Sequence, residues 1–292
     1  MRDAVDAAAA LLAEAGVPSA RVDALALAAH ALGVDRVVLA VAPPADAAFL
    51  DRYARLVERR RRREPLQHIV GWMAFRLLRL PAGPGIFVVR PETEVVAQVA
   101  IDEAAALARK GATPVVVDLC TGSGAIALAV ATEVPQAWVH AVEISPVALR
   151  SARHAAAALA AGLPHPLDLR EGDVRAAFPD LDGRVDVVVA NPPYIPPDAV
   201  PADPEVRDHD PDLALYGGGA DGLDVPREVV ATAARLLRRG GLLVMEHADV
   251  QAVAVRAMVA ATGDFTPPRT VPDLAGRDRM VVARRAPAHA AG

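Results

Sequence analysis

From residue 92 onward the sequence alternates short, unbroken apolar runs with helical stretches, and few folds accept that pattern. The runs are "PVVVDLC", "AWVHAVEI", "PLDLREGDV", "RVDVVVANPPY", "GLLVMEHA" and "RDRMVVARR". "EVVAQVAIDEAAALARKG" precedes the first of them. "GAIALAVATEV", "PVALRSARHAAAALAAG", "DVPREVVATAARLLRRG" and "DVQAVAVRAMVAATG" lie between later ones. A strand apolar at successive positions is buried on both faces, and strands that alternate with helices pair in parallel through crossovers. The expectation is an α/β protein with a doubly wound, mostly parallel sheet. Ligands in such sheets bind outside the carboxyl ends of the strands.

Residues 1–64 read differently, as helices. "DAVDAAAALLAEAG" closes on Gly16, and "SARVDALALAAHALG" runs from a Ser19 N-cap to Gly33. A third helix, "DAAFLDRYARLVERRRRRE", ends in five consecutive arginines, Arg59–Arg63. That run is either a solvated helix end or a contact for a polyanion such as rRNA. The glycines and prolines of "PLQHIVGWMAFRLLRLPAGPGIFVVRPETE" suit a hairpin-like connector. The expected domains are therefore 1–70, helical; 71–91, linker; 92–286, the α/β domain; and 287–292, a frayed tail.

Composition narrows the function classes. A formal net charge of −5 argues against bulk binding of nucleic acid. The single cysteine, Cys120, excludes an internal disulfide and a cysteine-only zinc site, and reads as a small packed residue. The eight histidines are scattered without ligand spacing, so no metal is expected. Asp3, Asp6 and Glu14 interrupt the N-terminal apolar pattern, unlike a signal peptide, and no long uncharged apolar window occurs. The expectation is a cytoplasmic protein without a membrane span.

Three strand ends outline a pocket. "DLCTGSGAIALAV" places Asp118 at the end of a strand, then Thr121, Gly122, Ser123 and Gly124, then a helix. Glycines let the backbone turn sharply toward a ligand, and a helix N-terminus offers free N–H groups. The loop lacks the lysine and spacing of a phosphate loop, and Ala127 stands at the last position of the dinucleotide pattern. Glu143 ends the next strand, where a carboxylate can accept both ribose hydroxyls. Asp173, in "REGDV", can accept from an adenine amino group, with Val174 lining the ring. The set suits an adenosine without phosphates, as in S-adenosylmethionine (SAM), whose charged amino group Asp118 can meet.

"NPPY" then ends a strand on Asn191, Pro192, Pro193 and Tyr194. A planar amide or amine nitrogen is a poor nucleophile because its lone pair is delocalised. Asn191 Oδ1 and the Pro192 carbonyl can accept from its N–H groups, the prolines hold both acceptors, and Tyr194 offers a face to pack on. Alignment and electrostatics then supply the acceleration, with no strong base. The polar stretch "DPEVRDHDPDLALYGGGADGLD" that follows suits a lid or substrate-facing segment.

Over nearly its whole length the chain resembles the HemK-type protein-(glutamine-N5) methyltransferases, which modify peptide chain release factors. The resemblance rests on "DALALAAHALGVDR", "RRRREPLQHIVGWMAF", "RPETE" (Arg90–Glu94), "DLCTGSGAIALA", "NPPYIP", "PEVRDHDPDLALYGGGADGLD" and the E-x-x-x-x-Q of "MEHADVQ". It implies a class I SAM-dependent methyltransferase fold, Rossmann-like, with a small N-terminal helical domain that docks the release factor. It further implies SAM as methyl donor and the glutamine of a Gly-Gly-Gln motif as acceptor. Cys120 to Gly124, Glu143, Asp173 and Val174 would bind SAM. Asn191 to Tyr194 would hold the glutamine, with Asn191 near both ligands. Cys120 stands where the family usually has glycine, His247 and Ala248 where it has an apolar residue and a glycine, and Arg76 is less typical of the linker. The alternatives are an adenine-N6 DNA methyltransferase, disfavoured by the acidic chain, and a non-catalytic binder of a translation partner. A monomer is expected.

Overall fold

The computed structural model describes residues 1–287. Residues 288–292, most of the segment expected to be a tail, lie outside the described residues. In chain order the elements are α1 (Arg2–Glu14), α2 (Ala20–Leu32), α3 (Ala47–Arg61), α4 (Leu66–Val70), β1 (Trp72–Phe75), β2 (Leu78–Pro81), α5 (Thr93–Arg109), β3 (Val115–Leu119) and α6 (Ala125–Glu133). Then follow β4 (Trp138–Glu143), α7 (Pro146–Leu159), β5 (Asp168–Glu171), β6 (Val185–Ala190), α8 (Pro204–His209) and α9 (Asp212–Leu215). The chain continues with α10 (Asp224–Leu236), β7 (Leu237–Glu246), α11 (Ala252–Ala261), β8 (Arg269–Pro272) and β9 (Asp278–Arg284). These form two compact units. The first comprises Met1–Trp72, Ala82–Pro84 and Pro201–Asp210; the second comprises Met73–Pro81, Gly85–Val200 and the chain from Pro211 onward.

The first unit is a small helical bundle. Val5, Ala8 and Leu12 recur at helical spacing on α1, as do Phe49, Tyr53 and Val57 on α3, and all are buried in one core with Leu27 and Ile69. Asp46 caps α3 by accepting the Phe49 N–H at 2.7 Å, and the buried Tyr53 hydroxyl donates to the Ala24 carbonyl at 2.8 Å. Ser19 does precede α2, but its hydroxyl makes no cap. It donates instead to Asp23 at 2.8 Å.

That Asp23 holds one member of the arginine run, which divides into exposed arginines on a solvated helix end, Arg59, Arg61 and Arg62, and the less exposed Arg60 and Arg63. Arg60 is buried between Asp23 (2.7 Å) and Glu205 (2.6 Å). Arg63 meets Glu205 at 2.5 Å and Asp203 at 3.1 Å. Arg59 pairs with Glu64, and Arg61 and Arg62 with Glu58. Each guanidinium faces a carboxylate, the exposed three within their own helix end and Arg60 and Arg63 across to residues 203–205. Asp203 and Glu205 come from the stretch expected to be a lid, which here carries α8 within the first unit.

The second unit contains a seven-stranded sheet in the order β5-β4-β3-β6-β7-β9-β8, parallel from β5 through β7 and antiparallel from there to the edge. Val117, Leu119, Val188, Ala190, Leu243 and Met245 share a core with α10 and α11 residues. Their alternates Val116, Val187, Val189 and Val244 point to the opposite face and are equally buried. Both faces are covered, as the unbroken apolar runs require. Strand β8 has no counterpart among the sequence expectations, because "PRTVPD" is broken by prolines. It survives at the sheet edge, where a missing N–H is tolerated.

Register places the site. Leu119 pairs with Val142 on one side and Ala190 on the other, and Ala190 pairs with Met245. The next residue along each strand, Cys120, Glu143, Asn191 or Glu246, therefore falls on one edge, with Glu143 and Glu246 still paired as the last residues of β4 and β7. Strand β3 lies where the order reverses, the usual crevice for a ligand in such sheets.

Candidate active site at the carboxyl ends of the central strands

The loop after β3 is built from left-handed residues: Cys120 (φ 62°), Gly122 (φ 59°) and Gly124 (φ 82°). At Gly124 a side chain is excluded twice over, since a Cβ would lie 3.1 Å from Ala152 Cβ and 3.3 Å from Leu128 Cδ1. Cys120 carries a side chain in a conformation that costs an L-residue about 1 kcal/mol or more. It packs against the core, and burial, reinforced by the Glu143, Asp118 and Asp173 carboxylates, pushes its thiol well above the usual range. Such a thiol is inert, as befits a packed residue.

Asp118 holds this loop from inside. One oxygen accepts from the Thr121 hydroxyl at 2.5 Å and from the Ala127 N–H at 3.1 Å. The other, Oδ1, is buried without a partner. Burial pushes the Asp118 carboxyl up to about 7. An orphaned acceptor on a desolvated carboxylate fits a cationic ligand group, the charge that would stabilise its ionised form. Ser123 likewise buries an unpartnered hydroxyl. Glu143 ties β4 to the loop, accepting the Gly122 N–H at 2.7 Å and the Ser145 N–H at 2.8 Å. Each of its oxygens keeps a second lone pair for a hydroxyl donor.

Asp173 differs from these. It accepts the Arg175 backbone N–H at 2.9 Å and both Nε and Nη2 of the same arginine at 2.9 and 2.7 Å. The expected adenine contact thus competes with an exposed arginine two residues away. Val174 is half-buried against the core, and its carbonyl accepts from Thr232 at 3.1 Å.

NPPY is gripped on every side. Asn191 Nδ2 donates to Thr93 Oγ1 at 3.3 Å, and the Tyr194 hydroxyl donates to Glu246 Oε1 at 3.3 Å. Gln251 Nε2 donates to the Tyr194 carbonyl at 2.8 Å and to the Asp221 carbonyl at 3.0 Å. Ile195 joins the following segment through its N–H to Leu215 (2.8 Å) and its carbonyl to Gly217 (3.1 Å). Gly217 and Gly222 let two backbones touch: a Cβ on Gly217 would lie 1.9 Å from the Gly222 carbonyl oxygen and 2.6 Å from that of Pro193. Among the described residues, Asn191 Oδ1 and the Pro192 carbonyl have no hydrogen-bond partner. Two acceptors remain on a rigid frame.

Sequence reasoning assigned no role to Thr93, Glu246, Gln251 or Arg279. The first three lie in "RPETE" and in E-x-x-x-x-Q, which were noted only as patterns. Glu246 is buried, and burial pushes its carboxyl up to about 7, opposed by a hydrogen bond from Thr93 and by Arg279. Arg279 lies 3.3 Å from Asp273 and 3.6 Å from Glu92. The atypical Arg76 (φ 51°) caps the β1–β2 turn, and its guanidinium bridges Glu133 (2.5 Å) and Gln98 (2.7 Å) while its N–H reaches Glu94 (2.9 Å). His247 is buried and its basicity is lowered by that burial, with Nδ1 at 2.8 Å from the Ala248 carbonyl. Ala248 in turn donates its N–H to Gln251 Oε1 at 3.2 Å. Both departures thus support the loop that carries Gln251.

Residues 3–71 match the PrmC N-terminal domain family, and residues 89–202 the methyltransferase small domain family. The chain is 51% identical over 276 residues to a release factor glutamine methyltransferase of Streptomyces coelicolor, covering 94% of each chain. It is 42% identical over 274 residues to a 4-amino-L-phenylalanine/4-methylamino-L-phenylalanine methyltransferase of Streptomyces pristinaespiralis, covering 91% of this chain and 89% of that one. Among solved structures it is similar to a Thermus thermophilus 16S rRNA N2 G1207 methyltransferase in complex with AdoMet and guanosine. The TM-score is 0.52 at 20% identity, covering 73% of this chain and 49% of the other, a likeness of fold alone.

Proposed function

The chain belongs to the release factor glutamine methyltransferase family, and on that premise we propose that it methylates the side-chain amide nitrogen (N5) of the glutamine in the Gly-Gly-Gln motif of peptide chain release factors, with SAM as donor. The observation that carries this reading is the pair of partnerless acceptors, Asn191 Oδ1 and the Pro192 carbonyl, on a frame braced by Thr93, Glu246 and Gln251. A primary amide nitrogen has two N–H groups, and the pair matches them. Accepting both fixes the amide plane, and with it the perpendicular direction along which the nitrogen meets the donor methyl. Tyr194 packs the planar group.

The residues also fit the cofactor. Glu143 has lone pairs for ribose hydroxyls, the orphaned Asp118 Oδ1 suits the ammonium, and the Cys120–Gly124 loop turns beside them through left-handed residues. Asp173 and Val174 border the adenine end. When bound, SAM supplies an electrophilic methyl group on a sulfonium. The amide nitrogen would gain that methyl, with the sulfur leaving as a neutral thioether, and would release one proton to water; the Asn191 and Pro192 oxygens orient its N–H groups. No helix among the described residues is long and apolar enough to cross a membrane. The cytoplasm, where translation factors act, is the compartment this reading implies.

The test is transfer of labelled methyl from SAM to a purified release factor, followed by peptide mapping. Label on the Gly-Gly-Gln glutamine, lost when that glutamine is replaced, is the expected result. Unchanged labelling of the replaced factor refutes it. Two further arms are plasmid DNA and 4-amino-L-phenylalanine, whose aromatic amine presents a similar N–H pair; labelling of either without release factor overturns the assignment. Asn191→Ala is expected to abolish transfer while SAM affinity by calorimetry stays within about threefold, that is, under 1 kcal/mol.

A further inference from the structure

The E-x-x-x-x-Q interval ends in a glutamine that has no part in the cofactor pocket as read above. Gln251 is buried, and its side chain reaches two main-chain carbonyls from different parts of the chain. We propose that Gln251 is a positioning residue for methyl transfer: its amide ties the Tyr194 carbonyl to the 221–222 turn, and so sets where NPPY presents the acceptor. This rests on the functional reading above.

The hydrogen bonds of the amide carry the inference. Oε1 accepts the Ala248 N–H at 3.2 Å, while Nε2 donates to the Tyr194 carbonyl at 2.8 Å and the Asp221 carbonyl at 3.0 Å. A primary amide has two N–H groups, and both are used. The partners decide which way round the amide sits, because a backbone N–H only donates and a backbone carbonyl only accepts. Turned over, the amide would set Nε2 against the Ala248 N–H and Oε1 against two carbonyls. A glutamine that merely closed its own turn would need only the contact to Ala248, and the Gln251 N–H already closes that turn on the Ala248 carbonyl at 2.9 Å. The other two contacts join segments 57 and 30 positions away. The mount is rigid: Gln251 directly precedes α11, whose Val255 and Val259 are buried in the sheet core. What it holds is rigid too. Proline fixes φ at residues 192 and 193, so a shift at the Tyr194 carbonyl is carried to the Pro192 carbonyl rather than absorbed between them. Glu246, at the other end of the interval, meets the Tyr194 hydroxyl at 3.3 Å, so both ends of the motif bear on one residue.

Gln251→Met keeps the side chain's length and removes both donors. Gln251→Glu keeps the acceptor for Ala248 and removes the same donors. Each should lower kcat at least about tenfold, the equivalent of 1.4 kcal/mol, with SAM affinity by calorimetry and the KM for release factor within about threefold. The second readout is the tyrosine ring, of which the sequence has three: Tyr53, Tyr194 and Tyr216. In protein labelled with ring-13C tyrosine, the Tyr194 signal is assigned by its loss in Tyr194→Phe. It should shift in both Gln251 variants, while that of Tyr53, in the first unit, stays in place. A kcat within twofold of the parent, an unmoved Tyr194 signal, or a loss confined to KM or to the urea midpoint overturns the proposal. Should the charged variant fail to fold, Gln251→Met alone gives the comparison. Failure of the parent protein to label a release factor refutes the substrate reading instead, and the Tyr194 signal still decides whether Gln251 holds that residue.

Discussion

Replacing Gly222 by alanine drives a methyl group into the backbone that frames the proposed acceptor site. A Cβ there would lie 2.3 Å from the Tyr194 carbonyl oxygen, 2.7 Å from Pro196 N and 2.8 Å from the Ile195 carbonyl carbon. None of these is the tip of a flexible side chain. Relaxing the first contact to an ordinary separation of about 3.4 Å needs a retreat of about 1 Å by one backbone or the other. Gly222 also sits at φ 75°, which adds about 1 kcal/mol for any L-residue. Overpacking a rigid site costs about 1–3 kcal/mol more, so the second unit should lose roughly 2–4 kcal/mol in urea unfolding. The larger effect is on rate. A misplacement of about 1 Å at a site that works by alignment can cost about a hundredfold. Single-turnover methylation of a release factor should slow by that order, while cofactor affinity, which the proposal assigns to the ends of β3 and β4, should change little. Gly111→Ala is the control, because Gly111 has φ 84° but open space around its would-be Cβ. It should lose about 1 kcal/mol and no activity. A Gly222→Ala enzyme within threefold of the parent rate would refute the idea that backbone contact here sets the position of NPPY.

Asp23→Ala leaves the buried Arg60 with one carboxylate instead of two, and the first unit should lose about 3 kcal/mol, read as an earlier urea transition; a loss below about 1 kcal/mol would show that water reaches Arg60. The Glu246 carboxyl, raised to about 7 against about 4.3 in an unfolded chain, holds its proton more tightly in the folded protein. Its contribution to stability is therefore full below about pH 4.3 and is lost as pH rises through 7, a loss of about 4 kcal/mol. Glu246→Gln should flatten that part of the stability curve, and unchanged curvature from pH 4.5 to 8 would contradict the raised carboxyl.

Much of the site was legible because it is local. The carboxyl end of a strand is a pattern that the eye can follow, and Asp118, Glu143 and Asn191 were read from it: Asp118 is one short of the end of β3, Glu143 is the last residue of β4, and Asn191 lies just past β6. The sheet register then brings those ends into one row. What stayed hidden depends on contacts between distant segments. Thr93 meets Asn191 across 98 positions, and no spacing rule joins RPETE to NPPY. The burial of Arg60 and Arg63 was hidden for the same reason, since two of their partners, Asp203 and Glu205, lie some 140 positions away. Asp173 shows the opposite case: its partner Arg175 was in plain view two residues on, and only geometry reveals that the pair closes. Strand β8 was missed because proline marks a break everywhere except at an unpaired edge.

Segment 201–210 has a consequence for how such a protein can be inherited. It leaves the second unit directly after the acceptor motif, lends Glu205 to Arg60 and Arg63 of the first unit, and returns by Pro211. The helical unit is thus not a bead that recombination can exchange at one junction. A donor helical unit grafted at residue 72 would arrive with arginines looking for a carboxylate encoded more than a hundred codons downstream. The two units are obliged to diverge together, and a hybrid of distant relatives should be rescued by transplanting this strap along with the helices.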